Sequence, residues 1–275
     1  MVKKSISTPI RIWLRDAAEE FAGAGIASAL LDAEIILAHT LRRSRTWLHA
    51  HGDELLDARL EDIANARAAL RLDRTPIAYI IGHKEFYSRS FKVTPSVLIP
   101  RPESEALIEL LKEHVPANAK RLVDVGSGSG CLGITAKLEL PQLDVTLADI
   151  SRHALKVAEE NANTLNATAV AVRSDLLASV PGVFDVILAN LPYVDESWER
   201  SPETNHEPEL ALLASDSGLA LINRLLTQVP SHLAPKGIVL LEADPVQHAA
   251  IIDNAKTAGL THVTTDGYAL LFRNH

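Results

Sequence analysis

Residues 121–130, Arg-Leu-Val-Asp-Val-Gly-Ser-Gly-Ser-Gly, decide the fold of this chain. Their first half is a short apolar run with two valines, which predicts a buried strand, and the alternating glycines after it predict a tight turn. Residues 131–138 then predict a helix, and residues 143–148 predict a second strand that ends at Asp149. A strand, a turn, a helix and another strand in this order are typical of an α/β domain with a parallel sheet.

The ends of these two strands predict a nucleoside site. Glycines let the chain turn tightly and approach a ligand, and the first turn of the following helix has N–H groups without helical partners. Asp149 lies nineteen residues after Gly130, a spacing at which a carboxylate ending the second strand can bind ribose hydroxyls. The sequence therefore indicates that a ligand containing a nucleoside binds at this edge of the sheet.

A second candidate site follows another strand. Residues 184–193, Phe-Asp-Val-Ile-Leu-Ala-Asn-Leu-Pro-Tyr, predict a buried strand that ends at Asn190. The side-chain oxygen of Asn190 and the main-chain carbonyl of Pro192 can each accept a hydrogen bond, and Tyr193 offers a flat face. This combination suits a planar substrate that carries an NH2 group. The alternative interpretation is a strand followed by a turn with an incidental tyrosine.

The residues beside the glycine turn favour one nucleoside cofactor over another. Gly128, Gly130 and Gly133 match the G-x-G-x-x-G pattern of dinucleotide enzymes, which is weak evidence by itself. Asp124 precedes the turn, where a carboxylate would repel a pyrophosphate but attract the cationic end of S-adenosylmethionine. The Asn190 motif has no evident role in hydride transfer and suits methyl transfer to a planar nitrogen. We therefore expect S-adenosylmethionine.

Composition and charge exclude several classes of protein. The chain has 275 residues, 47% of them apolar and 23% charged, as in an ordinary globular protein. The formal net charge of −8 disfavours general binding to nucleic acid, since a phosphate backbone repels an acidic surface. Cys131 is the single cysteine, which fits a reducing cytoplasm. We expect no export signal, because residues 1–7 are not followed by an apolar core, and no membrane span, because no apolar stretch reaches about 18 residues.

The spacing of apolar residues predicts three regions. Residues 1–75 predict a small bundle of helices, at about 9–23, 28–41 and 57–72, that could dock a partner. Residues 76–100 predict a β-hairpin linker, with strands at 77–82 and 86–93. Residues 101–275 then predict the α/β domain, whose last strands form an antiparallel hairpin. His49 and His51 are too few to predict a metal site, and no metal is expected.

Taken together, these motifs resemble one family across nearly the whole chain. The passages that carry the likeness are Pro76 to Gly82, Glu85 to Tyr87, LIPRPESE (98–105), DVGSGSGC (124–131), ADISRHAL (148–155), residues 184–194, residues 206–212 and residues 216–219. In these passages the chain is similar to the HemK/PrmC family, the N5-glutamine methyltransferases that modify peptide chain release factors.

The resemblance implies a fold, a reaction and a set of site residues. The fold is a Rossmann-like class I methyltransferase domain with a seven-stranded, mostly parallel sheet, preceded by the helical domain. The reaction is in-line transfer of a methyl group from S-adenosylmethionine to the glutamine of the Gly-Gly-Gln motif, by a cytoplasmic protein that we expect to be a monomer. The implied residues are Asn190, Pro192 and Tyr193 for catalysis; Gly126, Ser127, Gly128, Ser129, Gly130, Asp149, Asp175, Leu176 and Asn190 for the cofactor; and Arg101, Asn190, Leu191, Pro192 and Tyr193 for the substrate.

Several of these residues, and the function, have alternative interpretations. Asp175 could instead be a helix N-cap, and Arg101 could lie in a rigid linker. The family usually has Asn-Pro-Pro-Tyr, whereas Leu191 replaces the first proline here; a similar Asn-Leu-Pro-Tyr occurs in rRNA adenine dimethyltransferases. The other possible functions are methylation of a ribosomal protein glutamine, methylation of adenine N6 in nucleic acid, and cofactor sensing without catalysis.

Overall fold

The computed structural model describes residues 8–274. These residues divide into two compact units, one formed by residues up to Gly82 together with Ser201–His206, and the other by His83–Arg200 with Glu207 onward. The predicted lack of an export signal concerned residues 1–7, which lie outside the described residues. No helix within residues 8–274 has the length and apolar character needed to cross a bilayer.

The first unit is helical, as the sequence predicts. Its helices are α1 (Ile10–Gly23), α2 (Ala29–Leu41), α3 (Arg45–Ala50), α4 (Ala58–Leu72) and α5 (Ile77–Ile81), and Pro202–His206 adds a 3-10 helix. Asp57 caps α4, because its carboxylate accepts the N–H groups of Arg59 and Leu60. The core contains Trp13, Phe21 and Ile36.

The predicted strand at residues 77–82 is wrong, since these residues form α5. Their isoleucines favour a strand locally, but Ile80 is buried in the core of the helical unit. Pro76 precedes the first turn, where its missing N–H costs nothing, and Gly82 ends the helix in a left-handed conformation with a φ of 81°. Tertiary packing and the two helix ends therefore override the β propensity of this run.

The second unit begins with a hairpin. Its strands are β1 (His83–Phe86) and β2 (Arg89–Lys92), which pair antiparallel through a turn at Tyr87 and Ser88. Both turn residues have positive φ, which matches the right-handed twist of a two-residue hairpin loop. The hairpin is therefore shorter than the predicted one and starts later in the chain.

Within the described residues, seven strands form the main sheet in the order β5-β4-β3-β6-β7-β9-β8. β3 to β7 run parallel, and β9 lies antiparallel between β7 and β8. This confirms the predicted fold class. The elements in chain order are α6 (Glu105–His114), β3 (Arg121–Val125), α7 (Cys131–Glu139), β4 (Asp144–Asp149), α8 (Arg152–Thr164), β5 (Ala169–Arg173), β6 (Phe184–Ala189), α9 (Ala220–His232), β7 (Leu233–Glu242), α10 (His248–Thr257), β8 (Leu260–Asp266) and β9 (Ala269–Asn274).

Helices cover both faces of this sheet, so the central strands are apolar on both sides. In β6, Val186 and Leu188 pack towards α6, α7 and α8, whereas Ile187 and Ala189 pack towards α9 and α10. This double burial explains why β6 reads as a continuous apolar run in the sequence.

The strand register aligns the predicted site residues. Val125 of β3 pairs with both Ala148 of β4 and Ala189 of β6, and Ala189 pairs in turn with Leu241 of β7. The residues that follow these four are Gly126, Asp149, Asn190 and Glu242. They therefore lie side by side at the carboxyl edge of the parallel strands, where ligands bind in open α/β sheets.

Candidate active site

A cavity of about 270 Å³ opens at this carboxyl edge. Its walls come from the glycine turn, the ends of β4 and β6, and the loops at residues 96–101 and 208–211. The predicted cofactor residues that line it are Gly126, Ser127, Gly128, Ser129, Asp149, Asp175, Leu176 and Asn190. The predicted substrate residues that line it are Arg101, Asn190, Leu191 and Pro192. The structure thus brings both predicted sets to one cavity.

Gly130 and Tyr193 do not belong to this lining. Gly130 precedes α7 with a φ of 79°, and a Cβ there would lie 2.7 Å from Ile134 Cδ1. Its place is therefore at the joint between turn and helix, where a side chain would not fit. Ser127 does face the cavity region: it is 5% exposed, and its hydroxyl has no hydrogen-bond partner among the described residues.

Asp124, near the end of β3, contacts the helix that follows the glycine turn. It is 1% exposed, and its Oδ2 accepts a hydrogen bond from the N–H of Gly133 at 2.8 Å. Burial raises the pKa of Asp124 to about 7, with the Gly133 N–H opposing that shift and Asp149 adding to it. A Cβ on Gly133 would lie 2.9 Å from Asp124 Cβ, so this glycine allows α7 to lie close to β3.

Asp149 accepts one main-chain hydrogen bond from the glycine turn and one from the residue that precedes α8. Oδ2 accepts the N–H of Gly128 at 2.9 Å, and Oδ1 accepts the N–H of Ser151 at 2.8 Å. Burial raises the pKa of Asp149, and these N–H groups oppose that rise. Each carboxylate oxygen has more than one acceptor site, so Asp149 can still accept hydrogen bonds from a ligand in the cavity.

Asp175 lies at the rim of the cavity. Its carboxylate forms an ion pair with Arg224 Nη2 at 2.6 Å, and about half of each side chain is exposed. A turn, not a helix, follows Asp175, so the N-cap interpretation does not describe it. Leu176 is buried and has a φ of 51°, which places an apolar side chain in the wall next to this ion pair.

The Asn190 carboxamide is fixed on one side by a serine. Its Nδ2 donates to the Oγ of Ser104 at 3.0 Å, and Ser104 is 2% exposed. This leaves the carboxamide oxygen Oδ1 as the acceptor that Asn190 can offer to a ligand. Leu191 is buried, and a Cβ on Gly126 would lie only 2.8 Å from its Cδ2. The side chain at position 191 therefore packs directly on the glycine turn.

Tyr193 faces a buried glutamate. Its hydroxyl donates to Glu242 Oε1 at 3.2 Å, and Glu242 is 1% exposed. Burial, followed by the negative charge of Glu242, raises the pKa of Tyr193 far above its usual range, so the phenol stays protonated. The main-chain carbonyl of Tyr193 accepts a hydrogen bond from Gln247 Nε2 at 2.8 Å.

Arg101 lines the cavity and pairs with Glu207. The Glu207 side chain is 2% exposed, and its other oxygen accepts the N–H of Ile99 at 3.1 Å. One buried carboxylate thus fixes both the backbone and the arginine of the Pro-Arg-Pro segment. This placement favours the interpretation of Arg101 as a site residue over that of a simple linker.

Sequence reasoning missed the supporting residues Ser104, Glu242 and Gln247, and it gave Glu207 no defined contact. Each is distant in sequence from the group it holds, so neither periodicity nor spacing indicates the contact. A signal was present for Glu242 alone, since a glutamate that ends an apolar strand is costly to bury without a purpose. Among residues 8–274, no cluster of three or more His, Cys, Asp or Glu side chains is arranged to hold a metal ion.

Comparisons with known proteins find one family that matches the helical region and another that matches part of the α/β region. The Methyltransferase small domain family matches residues 102–207, and the PrmC N-terminal domain family matches residues 13–82. A release factor glutamine methyltransferase of Koribacter versatilis is 39% identical over 84% of this chain and 86% of the relative. One from Cereibacter sphaeroides is 37% identical over 91% of each chain.

Solved structures are similar in fold. A methyltransferase from Pyrococcus furiosus superposes with a TM-score of 0.54 at 20% identity, over 76% of this chain and 98% of that one. The 16S rRNA N2 G1207 methyltransferase of Thermus thermophilus, solved with AdoMet and guanosine, gives a TM-score of 0.54 at 17% identity. It covers 70% of this chain and 49% of that one. At these identities the likeness concerns the fold alone.

Proposed function

This chain belongs to the family of release factor glutamine methyltransferases, and we propose that it methylates the side-chain nitrogen (N5) of a glutamine in a peptide chain release factor. The observation that carries the proposal is the position of Asn190. Strand register puts it next to Gly126 and two strands from Asp149, so one cavity joins an amide acceptor to a nucleoside-type site.

The residues present fit S-adenosylmethionine. Asp149 offers acceptors for ribose hydroxyls, Leu176 offers an apolar wall, and the unpartnered hydroxyl of Ser127 lies buried in the same lining. We assign the backbone of Gly126, Ser127, Gly128, Ser129 and Gly130, together with Asp149, Asp175 and Leu176, to holding this cofactor. When bound, S-adenosylmethionine supplies an electrophilic methyl group on a sulfonium.

The task of the protein is then to orient a weak nucleophile. The nitrogen of a glutamine amide is weak because its lone pair is delocalised into the carbonyl. Asn190 Oδ1 and the main-chain carbonyl of Pro192 accept the two amide hydrogens, which turns the nitrogen towards the methyl donor. Holding reacting atoms at about 3–3.5 Å in line can supply roughly 7–11 kcal/mol of a barrier. Transfer of the methyl group releases S-adenosylhomocysteine and one of the two amide protons, and we assign no side-chain base to that proton.

The remaining assignments concern the substrate. Arg101, Leu191 and Tyr193 complete the proposed substrate side. Tyr193 contributes its ring, and it also anchors the loop at residues 190–193. We propose that the helical region, residues 1–75, docks the release factor, with residues 76–100 as linker and 101–275 as the catalytic region. We also propose a cytoplasmic monomer that acts on protein and does not bind nucleic acid.

One assay tests this function directly. The purified protein is incubated with radiolabelled S-adenosylmethionine and, in separate reactions, a release factor, total ribosomal proteins or rRNA. We expect label on the release factor, and mass spectrometry should place the added methyl on the glutamine of Gly-Gly-Gln. Label confined to a ribosomal protein or to rRNA would reassign the substrate, and no transfer in any reaction would contradict a methyltransferase.

A further inference from the structure

Asn161 is a buried polar side chain that the proposed function does not use. It lies on the buried face of α8 and is 2% exposed. Its Oδ1 accepts the N–H of Lys92 at 2.7 Å, and its Nδ2 donates to the carbonyl of Lys92 at 3.0 Å and to the carbonyl of Ser129 at 2.8 Å. One carboxamide therefore joins the end of β2 to the glycine turn.

The three groups that Asn161 contacts match the chemistry of a carboxamide. One of them is an N–H that needs an acceptor, and the other two are carbonyl oxygens that need donors. A carboxamide has one oxygen and two N–H hydrogens, so it satisfies all three at once. An ionised aspartate would offer no donor, and an apolar side chain would satisfy none of them.

The glycine turn needs such an anchor because its backbone has wide conformational freedom. Gly126, Gly128 and Gly130 have φ values of 72°, 54° and 79°, and glycine can adopt many other conformations nearly as readily. Asp149 fixes the N–H of Gly128 in the middle of the turn. The half of the turn that leads into α7 depends on a second restraint.

Asn161 supplies that restraint at the peptide unit between Ser129 and Gly130. The N–H of this unit donates to the carbonyl of Ser127 at 2.7 Å, and its carbonyl accepts from Asn161 Nδ2. Rotation of the unit would break both hydrogen bonds. A Cβ on Gly130 would lie 3.2 Å from the Cβ of Ala158, one turn earlier on α8, so the helix packs directly against the turn.

The other end of the contact lies at the edge of the proposed substrate side. Lys92 is the last residue of β2, and the segment at residues 96–101 that follows it forms another wall of the same cavity. Asn161 binds Lys92 through both its N–H and its carbonyl, as a neighbouring strand would. The cofactor turn and the start of this wall are thus held by one side chain.

We propose that Asn161 is a positioning residue for the cofactor. It holds the peptide unit between Ser129 and Gly130 in the orientation that binds S-adenosylmethionine, with the end of β2 as its support. This inference rests on the proposed function for the identity of the cofactor. It does not depend on which substrate receives the methyl group.

Calorimetry with S-adenosylhomocysteine, the unreactive product, tests the role on the protein alone. Asn161→Ala should raise the Kd about tenfold, because the glycine turn loses a buried hydrogen bond that shapes it. Asn161→Asp, measured at pH 8, keeps the acceptor for the N–H of Lys92 but has no donor for Ser129, so it should raise the Kd at least as much. A binding stoichiometry near one shows that the variants are folded.

Kinetics should divide the effect in a way that general destabilisation would not. In both Asn161 variants the KM for S-adenosylmethionine should rise by about the same factor as the Kd. At saturating cofactor, kcat should stay within about threefold of wild type, because the groups that hold the substrate amide are unchanged. A loss confined to kcat would overturn the proposal.

Two variants serve as controls. Glu160→Gln removes the ion pair between Glu160 and Lys92 Nζ, which joins α8 to the same lysine at the exposed surface without reaching the turn. Gly259→Ala lowers stability far from the cavity, because φ is 81° there. Each should leave the Kd within about twofold of wild type. A rise in Gly259→Ala equal to that in Asn161→Ala would show that lost stability is the cause and would overturn the positioning role.

Hydrogen exchange in ¹⁵N NMR spectra measures the turn without any ligand. The N–H of Gly130 should exchange slowly in wild type and in Glu160→Gln. In Asn161→Ala and Asn161→Asp it should exchange at least about tenfold faster, because its peptide unit is then held at one end only. Unchanged exchange in both Asn161 variants would overturn the proposal.

The outcomes distinguish this proposal from the proposed function. Methylation of the release factor by wild type, with a wild-type Kd in Asn161→Asp, would refute the positioning role alone. Methylation of a ribosomal protein or rRNA instead, with the expected rise in Kd, would refute the substrate assignment alone. If Asn161→Ala does not fold, as judged by circular dichroism, Asn161→Asp decides the question, since its side chain has nearly the same shape as that of asparagine.

Discussion

Gln247 holds the main-chain carbonyl of Tyr193 through a 2.8 Å hydrogen bond from its Nε2, and the same nitrogen also donates to the carbonyl of Ser217. Gln247 is 4% exposed and completes a capping box with Asp244 in the 3-10 helix Pro245–Gln247, which directly precedes α10. The end of the loop at residues 190–193 is therefore held by a 3-10 helix more than fifty residues away in sequence. The loop has little freedom to move as a unit, because both its first and its last residue are anchored.

Gly218→Ala should break this anchor. A Cβ at Gly218 would lie 2.0 Å from Tyr193 O, so the loop would have to move. Gly259→Ala is the control, because φ is 81° there and 82° at Gly218, but nothing lies within 4 Å of its Cβ. We expect Gly259→Ala to cost about 1–2 kcal/mol in the free energy of unfolding, and Gly218→Ala about 1–3 kcal/mol more. Urea unfolding measures both, and equal costs would contradict the clash.

Asp124 predicts a specific pH dependence of stability without cofactor. Its pKa of about 7 in the folded state exceeds the value of about 4 in the unfolded chain. Between these values the folded state retains a proton that the unfolded state has lost, so stability falls as pH rises, by at most about 1.4 kcal/mol per pH unit. Asp124→Asn lacks this penalty. From pH 4 to 7 the free energy of unfolding of this variant should rise relative to that of wild type, and above pH 7 the difference between the two should stay constant. A constant difference over the whole pH range would refute the shifted pKa.

The sequence predicted the parts of the fold that depend on local signals. The strand at Arg121–Val125 has the predicted bounds, because the strand is a short apolar run with polar residues before it and the glycine turn after it. The Asn190 motif and the glycine turn each follow a predicted strand, and the carboxyl ends of parallel strands lie at one edge of a sheet. The chain order of motifs was therefore enough to bring Asp149 and Asn190 to one cavity.

Other features depended on contacts that a linear pattern does not contain. The helix α5 was predicted as a strand because isoleucine favours strands, whereas burial of Ile80 in the helical core decides the outcome. The residues that anchor the loop at residues 190–193 lie just before α10, at the end of β7 and just before α6. Which polar side chain meets which loop follows from strand order and packing, and these are known only from the structure.

Leu191→Pro should leave turnover within about tenfold of wild type. The acceptors that hold the substrate, Asn190 Oδ1 and the carbonyl of Pro192, are unchanged by this substitution. Leu191 is 4% exposed and packs over Gly126, so proline removes some contact with the turn while stiffening the loop. Single-turnover methylation of the release factor measures the effect. Complete loss of turnover in a folded variant would show that the leucine itself is required.

Arg101→Ala should destabilise the protein through its partner. The Glu207 side chain is 2% exposed, and removing Arg101 leaves a buried carboxylate with the N–H of Ile99 as its remaining described contact. We expect a loss of about 1–3 kcal/mol in the free energy of unfolding. In the Glu207→Gln background the same change should cost less, because no buried charge is left unpaired. Equal costs in both backgrounds would show that the ion pair is not what Arg101 contributes.

Asn190→Ala should separate substrate orientation from cofactor binding. Alanine removes the Oδ1 acceptor and leaves Asp149 and the glycine turn in place, so the methylation rate should fall at least about a hundredfold. The Kd for S-adenosylhomocysteine, measured by calorimetry, should change less than about twofold. Asn190→Asp keeps an acceptor but no donor for Ser104, and we expect it to retain more activity than alanine. If rate and cofactor affinity fell by the same factor, Asn190 would belong to the cofactor site, and the amide-holding role would be lost with it.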